Sequence, residues 1–525
     1  MQMEKYLDTV IYDDFSAMLK GRYEESSRVT ALRYFEKENI VDVTYSEMVE
    51  RVAAVYEFLK KEGHGGKHIA ILSENRYEYI IIYLAAVLDS VIVPLDREAE
   101  PSVINELFER FDVSAVFVTD KTAKKAGQAS EIKKYNIDRE FRDILKTEIS
   151  VERFFEETKD TDKDRFAVLA STSGTDGRMK GVMLTQYNVI TNIRGTLENN
   201  VLKSPTLSFL PMHHTYGFNP CILATLYNGT TLCINRDVKK LFRDIKAFDP
   251  FFFGAVPMVI EGIYDNILRE AGKQNKERSL KRLIRLSNAL RKVGIDLRHR
   301  FFGSIITPGL RLVVSGGAPL RREYVDKYDE IGITILNGYG LTECSPTVAV
   351  SRTINNVPGS AGTIMKNIEV KVAEDGELLV RGPNVMLGYY KDEEATRDAM
   401  EDGYFKTGDI GYTLGRIIFI TGRKKNLIIT ENGENIAPEY LEAKINSFDE
   451  VEESLVVSKR VNNVSIVCAK VYMGENGKQN VQRFKEDLKA LNESLPSYMR
   501  IDDYEVMPEA FQKNSSKKII RKLYL

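Results

Sequence analysis

Cysteine and histidine are scarce, with four and five copies in 525 residues. The cysteines (Cys221, Cys233, Cys344, Cys468) are scattered without a C-x-x-C pair, so neither a disulfide framework nor a zinc site is suggested. No H-E-x-x-H is present. Charge of one sign is lacking too: 74 basic and 76 acidic residues leave a formal net charge of −2, which gives no reason to expect nucleic acid as a partner. No apolar run reaches the ~20 residues of a membrane span. Tyr79 to Val93 is too short and reads as a buried helix leading into a strand. The start, Met1-Gln-Met-Glu-Lys-Tyr-Leu-Asp8, lacks the basic start and apolar core of a signal peptide. A reducing, cytoplasmic setting is expected. Internal repeats and low-complexity segments are also missing.

The hydrophobic share of 43% and charged share of 29% suit a soluble globular enzyme. Length suggests three or four domain-sized units at ~150 residues each. Over the first three hundred or so residues, short apolar runs alternate with helical patterns. Ile69–Leu72, Val91–Pro94, Ala115–Val118 and Leu207–Leu210 read as buried parallel strands, with helices such as Tyr77–Leu88 between them. That alternation predicts a layered α/β architecture. Between Asn356 and Ile420 short strands and turns predict a small, mostly antiparallel unit, and after Gly422 the pattern is mixed α+β. From Leu268 to Arg300 eleven basic residues face three acids. There, Leu283, Leu286, Leu290, Val293 and Leu297 predict an amphipathic helix, either packed with a solvated basic face or resting on an anionic membrane.

The most informative stretch is Ser171-Thr-Ser-Gly-Thr-Asp-Gly-Arg-Met-Lys-Gly-Val182, after the apolar run Phe166–Ala170. Glycines let a backbone approach a ligand closely, and N–H groups with hydroxyls can surround phosphate oxygens. Lys180 adds a point charge. The stretch is not a Walker A loop, because Lys180 follows Met179 and precedes Gly181.

Four further motifs follow in order. Ser315-Gly-Gly-Ala-Pro319 closes the strand-like Leu312–Val314, where two glycines admit a flat ring. Asn337-Gly-Tyr-Gly-Leu-Thr-Glu343 offers a stacking ring, a hydroxyl and a carboxylate able to hold magnesium. Tyr404-Phe-Lys-Thr-Gly-Asp409-Ile-Gly, with Thr421-Gly-Arg423, supplies a carboxylate and a guanidinium for a ribose. Lys513-Asn-Ser-Ser-Lys-Lys518-Ile-Ile-Arg521 lies near the end. Most of these read singly as a turn or as solvated charge; their order carries the assignment.

The order resembles the adenylate-forming superfamily over about Thr44 to Arg521. The wording is closest to long-chain fatty acyl-CoA synthetases, as in Tyr339-Gly-Leu-Thr-Glu-Cys-Ser-Pro346 and Val380-Arg-Gly-Pro-Asn-Val-Met-Leu-Gly-Tyr-Tyr390. The resemblance implies a large N-terminal domain, residues 1–423, of layered α/β subdomains with a small β-barrel-like subdomain. A small mobile α+β C-terminal domain, residues 424–525, would follow. It implies ATP, Mg²⁺ and coenzyme A, with a carboxylic acid converted first to an acyl-adenylate and then to a thioester.

Carried over by motif, Lys518 is the expected catalytic lysine. Thr172, Ser173, Gly174, Thr175, Gly177 and Lys180 hold the β- and γ-phosphates. Thr342 binds the α-phosphate and Glu343 the metal. Tyr339, within Asn337, Gly338 and Gly340, flanks adenine together with Gly316, Gly317, Ala318 and Pro319. Asp409 and Arg423 hold the ribose. His214, in Leu210-Pro-Met-His-His-Thr-Tyr-Gly217, lies near the acyl carboxylate, with packing as its alternative. Lys425 is the hinge, and Gly433 lines the pantetheine tunnel. Three residues depart from the family pattern: Asp176 for threonine, Met179 for proline, and Lys517 for the glycine before the catalytic lysine. An aryl acid, a carrier-protein acceptor or a non-catalytic binding protein stay open beside the fatty acyl-CoA synthetase.

Overall fold

Alternating apolar runs become strands here because both faces of each sheet are covered, so β-branched residues are buried all along the run. The structure is a computed structural model. It describes residues 6–127, 132–173, 179–273, 277–302, 306–318, 320–429, 434–461, 464–474, 480–513 and 519–525. Gly174, Thr175, Asp176, Gly177, Pro319, Gly433, Lys517 and Lys518 lie outside the described residues.

The chain divides into two compact units. One comprises Met1–Glu369 with Val380–Phe405, the other Val370–Leu379 with Lys406–Leu525. The large unit carries a seven-stranded sheet in the order Gly388–Tyr389, Met179–Thr185, Phe166–Ser173, Val91–Pro94, His68–Leu72, Val113–Val118, Lys133–Asn136. From Phe166–Ser173 onward the neighbours are parallel, and the first three strands are mutually antiparallel. Helix Tyr77–Asp89 covers the sheet and is buried from Glu78 to Leu88, as expected for a helix apolar all round.

A second run of strands has Leu312–Ser315 at its centre, between Thr334–Gly340 and Phe252–Ala255, both parallel to it. Thr206–Ser208, Leu232–Ile234 and Thr30–Glu36 continue it in parallel. Thr347–Val350 and Gly362–Ile364 extend the other side antiparallel. Helix Gln186–Asn199 is buried along most of its length, and Thr185 and Asn188 close a capping box at its start.

Three local expectations change. Leu207–Leu210 is a strand only to Ser208, because Phe209 and Leu210 turn into the loop before His213. The strand from Phe166 continues to Ser173 and returns as Met179–Thr185, so the glycine-rich stretch joins the limbs of a hairpin. The basic helix ends at Lys292, two residues before Gly294 at φ +84, and a short helix Arg298–Phe302 follows. Its inward stripe is Leu280, Leu283, Ile284 and Ser287, whereas Leu286 and Val293 face solvent.

The small unit begins with strands in the order Glu369–Val372, Glu377–Arg381, Tyr404–Leu414, Ile417–Arg423, the last two antiparallel. Beyond it, Glu453–Val461 and Val464–Tyr472 pair antiparallel, with Asp503–Val506 parallel to the second. Helices Pro438–Ile445 and Val481–Ser494 pack Leu441, Ile445 and Phe484 into their core.

Candidate functional site

Cross-strand register places the first candidates. Thr172 lies opposite Lys180 and Ser173 opposite Met179, so the glycine-rich connection leaves a hairpin whose base carries a hydroxyl facing an ammonium. The strand Gly388–Tyr389 pairs with the outer limb, Tyr389 opposite Val182. That pairing brings the Tyr389 ring under Lys180, whose Nζ is 4.7 Å from the ring centroid. A cation over an aromatic face is attracted by the ring's electron-rich surface. The Tyr389 hydroxyl donates to Glu343 Oε1 at 3.0 Å. Burial, reinforced by the Glu343 carboxylate, raises the Tyr389 pKa, so the phenol stays a donor.

Glu343 sits in the tight turn Thr342–Cys344, reached through Gly340. A Cβ at Gly340 would lie 1.8 Å from the Pro346 carbonyl oxygen, so only glycine lets the chain fold back there. Three buried asparagines fix the turn. Asn192 Nδ2 donates to Cys344 O at 3.0 Å and Thr347 O at 2.7 Å, and its Oδ1 accepts from Thr347 N at 3.2 Å. Asn384 Nδ2 donates to Cys344 O at 2.9 Å, and Asn219 Nδ2 to Ser345 O at 2.9 Å. Thr342 and Glu343 stand half-buried on this frame. Met386 N–H donates to the Glu343 carbonyl at 2.9 Å, tying the turn to the segment before Tyr389.

Ser315–Ala318 leaves the carboxyl end of a parallel strand, where ligands bind in open α/β sheets. A Cβ at Gly316 would lie 2.5 Å from the Tyr216 ring, so the glycine admits that ring. The Tyr216 hydroxyl donates to Val314 O at 2.9 Å. Together Tyr216, Phe252, Gly317, Gly338, Tyr339 and Gly340 wall a cavity of about 90 Å³. Asn337, next to it, donates through Nδ2 to Ser360 O at 3.1 Å. Among the aromatics of Tyr216–Phe218 and Phe251–Phe253, Tyr216 and Phe252 reach the cavity. Phe253 is buried in the core, and Phe218 packs on Tyr79 and Tyr83.

The His213 and His214 rings touch at a tilt of 46° with centroids 4.1 Å apart. Burial, then the neighbouring His214, lowers the His213 pKa to about 3, so it is neutral. Its Nε2 lies 3.6 Å from Asp96 Oδ1, beyond hydrogen-bond reach.

In the small unit Asp409 and Arg423 are register partners, joined by an Nε–Oδ1 contact of 2.7 Å. The Asp409 side chain is only 3% exposed and that of Arg423 42%, so the carboxylate is held and the guanidinium has an open edge. Lys425 follows in a short turn. Burial, aided by the positive Arg423 and Lys522, lowers its pKa.

Tyr389 is the residue that the motifs quoted without a role. Its signal was the pair Tyr389-Tyr390 closing the run from Val380, but only strand pairing connects it to Lys180 and Glu343. Asp96 and the asparagines carried no motif at all.

Residues 22–390 match the family described as AMP-binding enzyme, and 425–525 match AMP-binding enzyme C-terminal domain. The chain is 30% identical over 455 residues to long-chain-fatty-acid–CoA ligase FadD15 of Mycobacterium bovis, covering 79% of this chain and 75% of that protein. It is 26% identical over 463 residues to long-chain-fatty-acid–CoA ligase 5 of Rattus norvegicus, covering 76% and 66%. Among solved structures, a fatty acyl CoA synthetase of Mycobacterium tuberculosis has a TM-score of 0.69 at 22% identity, covering 97% of each chain. The o-succinylbenzoate CoA synthetase of Bacillus subtilis, in complex with its acyl-adenylate, has a TM-score of 0.75 at 21% identity, covering 96% and 97%. These structural likenesses bear on the fold alone.

Proposed function

The chain belongs to the AMP-binding enzyme family and is an AMP-forming acid–thiol ligase, and from that premise we propose that it activates a fatty acid through an acyl-adenylate and passes it to coenzyme A. The observation that supports this reading best is the chain of contacts Lys180–Tyr389–Glu343. Glu343 lies in the turn Thr342–Cys344, and Gly340 and Thr347 on either side of that turn wall the cavity shared by Tyr339 and Tyr216. One cation and one carboxylate are thereby fixed beside an apolar slot.

The chemical difficulty is that a carboxylate must attack an anionic α-phosphate, so positive charge has to stand where negative charge develops. Lys180, with Thr172 and the hairpin residues Ser173, Gly174, Thr175 and Gly177, holds the β- and γ-phosphates. Thr342 donates to the α-phosphate. Tyr339 and Gly316–Pro319 flank adenine, with Asp409 and Arg423 on the ribose. His214 faces the acyl carboxylate, and Lys518 joins the two reacting groups. Glu343 is suited to magnesium, being a carboxylate oxygen fixed by a neutral phenol donor beside expected phosphates. Bound there, Mg²⁺ supplies charge neutralisation on the polyphosphate. On this reading the moving part starts after Arg423, within the small compact unit rather than at its edge, with Lys425 the hinge and Gly433 on the route of the pantetheine arm.

A shorter or aryl acid is the second reading. It is supported by the aromatic walls Tyr216 and Phe252 of the cavity, which suit a flat ring as well as an acyl chain. Contact with an anionic membrane through 268–300 is supported by Leu286, 51% exposed among the exposed Arg282 and Arg285. Among the described residues no helix is long and apolar enough to cross a membrane. We place the enzyme in the cytoplasm.

ATP–pyrophosphate exchange over a panel of aliphatic and aryl acids, followed by CoA consumption, tests the proposal. Exchange strongest with long-chain acids and coupled to thioester formation is expected. Exchange confined to aryl acids moves the substrate to the second reading, exchange without thioester removes coenzyme A, and no exchange removes the adenylation chemistry.

A further inference from the structure

Arg521, three residues after Lys518, is held on three sides. Its Nη2 pairs with the Glu442 carboxylate and lies 3.7 Å from Glu439 Oε1, while Nη1 donates to Val456 O at 3.1 Å. Glu442 Oε1 also accepts from Val456 N at 2.7 Å. Glu442 and Arg521 therefore complete both backbone groups of one residue on strand Glu453–Val461. Their side chains are 13% and 18% exposed, so the pair is largely withdrawn from water. Arginine suits this place because its planar fork reaches a carboxylate and a carbonyl at once, which an ammonium does not reproduce.

Glu439 has a second attachment. Its Oε1 accepts from Asn426 Nδ2 at 2.5 Å, and its Oε2 from Arg423 N at 3.4 Å. One side chain thus touches the segment Arg423–Asn426 and the C-terminal tail. On the near side of Lys518 the tail is fastened too. Lys513 pairs with Glu453, Phe511 N donates to Glu453 Oε2 at 3.2 Å, and Lys513 bridges antiparallel to Ile519. The residues flanking 514–518 are thereby anchored to strand Glu453–Val461 at Glu453 and Val456.

We propose that Glu442, with Glu439, is a positioning residue for adenylation, acting through Arg521 to set where the tail presents Lys518. The inference rests on the reading that Lys518 serves adenylation. Removing Glu442 takes from a largely buried guanidinium its nearest carboxylate, leaving the longer contact to Glu439 and the Val456 carbonyl, and loosens one end of the tail. A misplacement of about 1 Å at a reacting group reduces rate on the order of 100-fold, so a small shift here is large in effect.

The test compares Glu442→Ala, Glu442→Gln, Arg521→Lys and Lys518→Ala in the full-length protein. Two assays are run on each: ATP–pyrophosphate exchange with its kcat and KM for ATP, and thioester formation from supplied acyl-adenylate and CoA. E442A is expected to lower exchange kcat about 10- to 100-fold with KM for ATP little changed and the thioester step intact. E442Q is expected to recover part of the loss, since its amide oxygen still accepts from Val456 N. R521K, which keeps the charge but not the fork, should behave like E442A and serves as the readout if E442A does not fold. Wild-type exchange in both E442A and R521K overturns the inference. So does an equal fall in both half-reactions, which marks a structural role. Full exchange in K518A would instead remove the premise, a result separate from either.

Discussion

The turn Thr342–Cys344 is held by side-chain amides of Asn192, Asn219 and Asn384 reaching backbone carbonyls. The C-terminal tail is held by charges: Arg521 on Glu442 and Glu439, and Lys513 on Glu453. Neutral bonds in a buried setting are strong where fully made and nearly indifferent to ionic strength. Ion pairs weaken with protonation of their carboxylates, and a pair as withdrawn from water as Arg521–Glu442 feels that far more than it feels salt. Burial already pushes the Glu442 carboxyl up to about 7, against the pull of Arg521 and the Val456 N–H. The two regions that share the proposed chemistry are thus built for different duties. One is a fixed frame, offered on the proposed reading to phosphate and metal, and the other is a fastening whose strength follows the pH.

The largest expected effect breaks the comparison at its charged end. Lys518→Ala should reduce ATP–pyrophosphate exchange on the order of 1,000-fold, as loss of a preorganised transition-state contact does. Normal exchange would shift the role to Lys517 or off the tail. Next comes the neutral frame. Asn192→Ala removes three hydrogen bonds and leaves the Cys344 and Thr347 carbonyls to Asn384 alone, which should destabilise by about 1–3 kcal/mol in denaturant unfolding. An unchanged midpoint would show that the turn holds itself.

Acid tests whether the large unit is as indifferent as its amides suggest. With its pKa lowered from 6.5 to about 3, folded His213 refuses a proton that the unfolded chain binds. Its contribution is whole above pH 6.5 and is lost as pH falls toward 3, about 2 kcal/mol of it by pH 5. His213→Gln should flatten that part of the stability curve, and a curve that keeps its slope assigns the loss elsewhere. The smallest effect concerns Lys424, which contacts Asp375 at 2.6 Å and Glu377 at 2.7 Å with its side chain 46% exposed. Lys424→Met should cost under about 1 kcal/mol and abolish any difference between low and high salt at that position.

Much of the scaffold was legible from local pattern. Val91–Pro94 and Leu312–Ser315 are strands because their apolar residues are contiguous and end in turn residues, a property of the segment alone. Met179–Thr185 was not anticipated, since Lys180 and Gly181 interrupt its apolar character. Gly181 is there because a Cβ would lie 2.8 Å from Leu169 and Phe111, a contact between distant segments. The same limit applies to the basic helix. Its leucine spacing continued past Lys292, but Gly294 adopts a left-handed conformation that no spacing reveals. Motif residues such as Tyr339 and Glu343 were named by their wording, whereas Tyr389, Asn192 and Glu439 act through pairings hundreds or tens of residues away or across helix turns.

The hairpin at Thr172 and Lys180 has a consequence for energetics. A phosphate site at the head of a helix borrows part of its attraction from aligned peptide dipoles, a field that no side-chain exchange removes. Strands flank this connection on both sides, and strands have almost no net dipole to lend. On the proposed reading, the pull on the polyphosphate comes from the detachable parts, Lys180 and the hydroxyls. Product escape is then a dial that single residues can turn, because a grip assembled from side chains can be loosened one contact at a time.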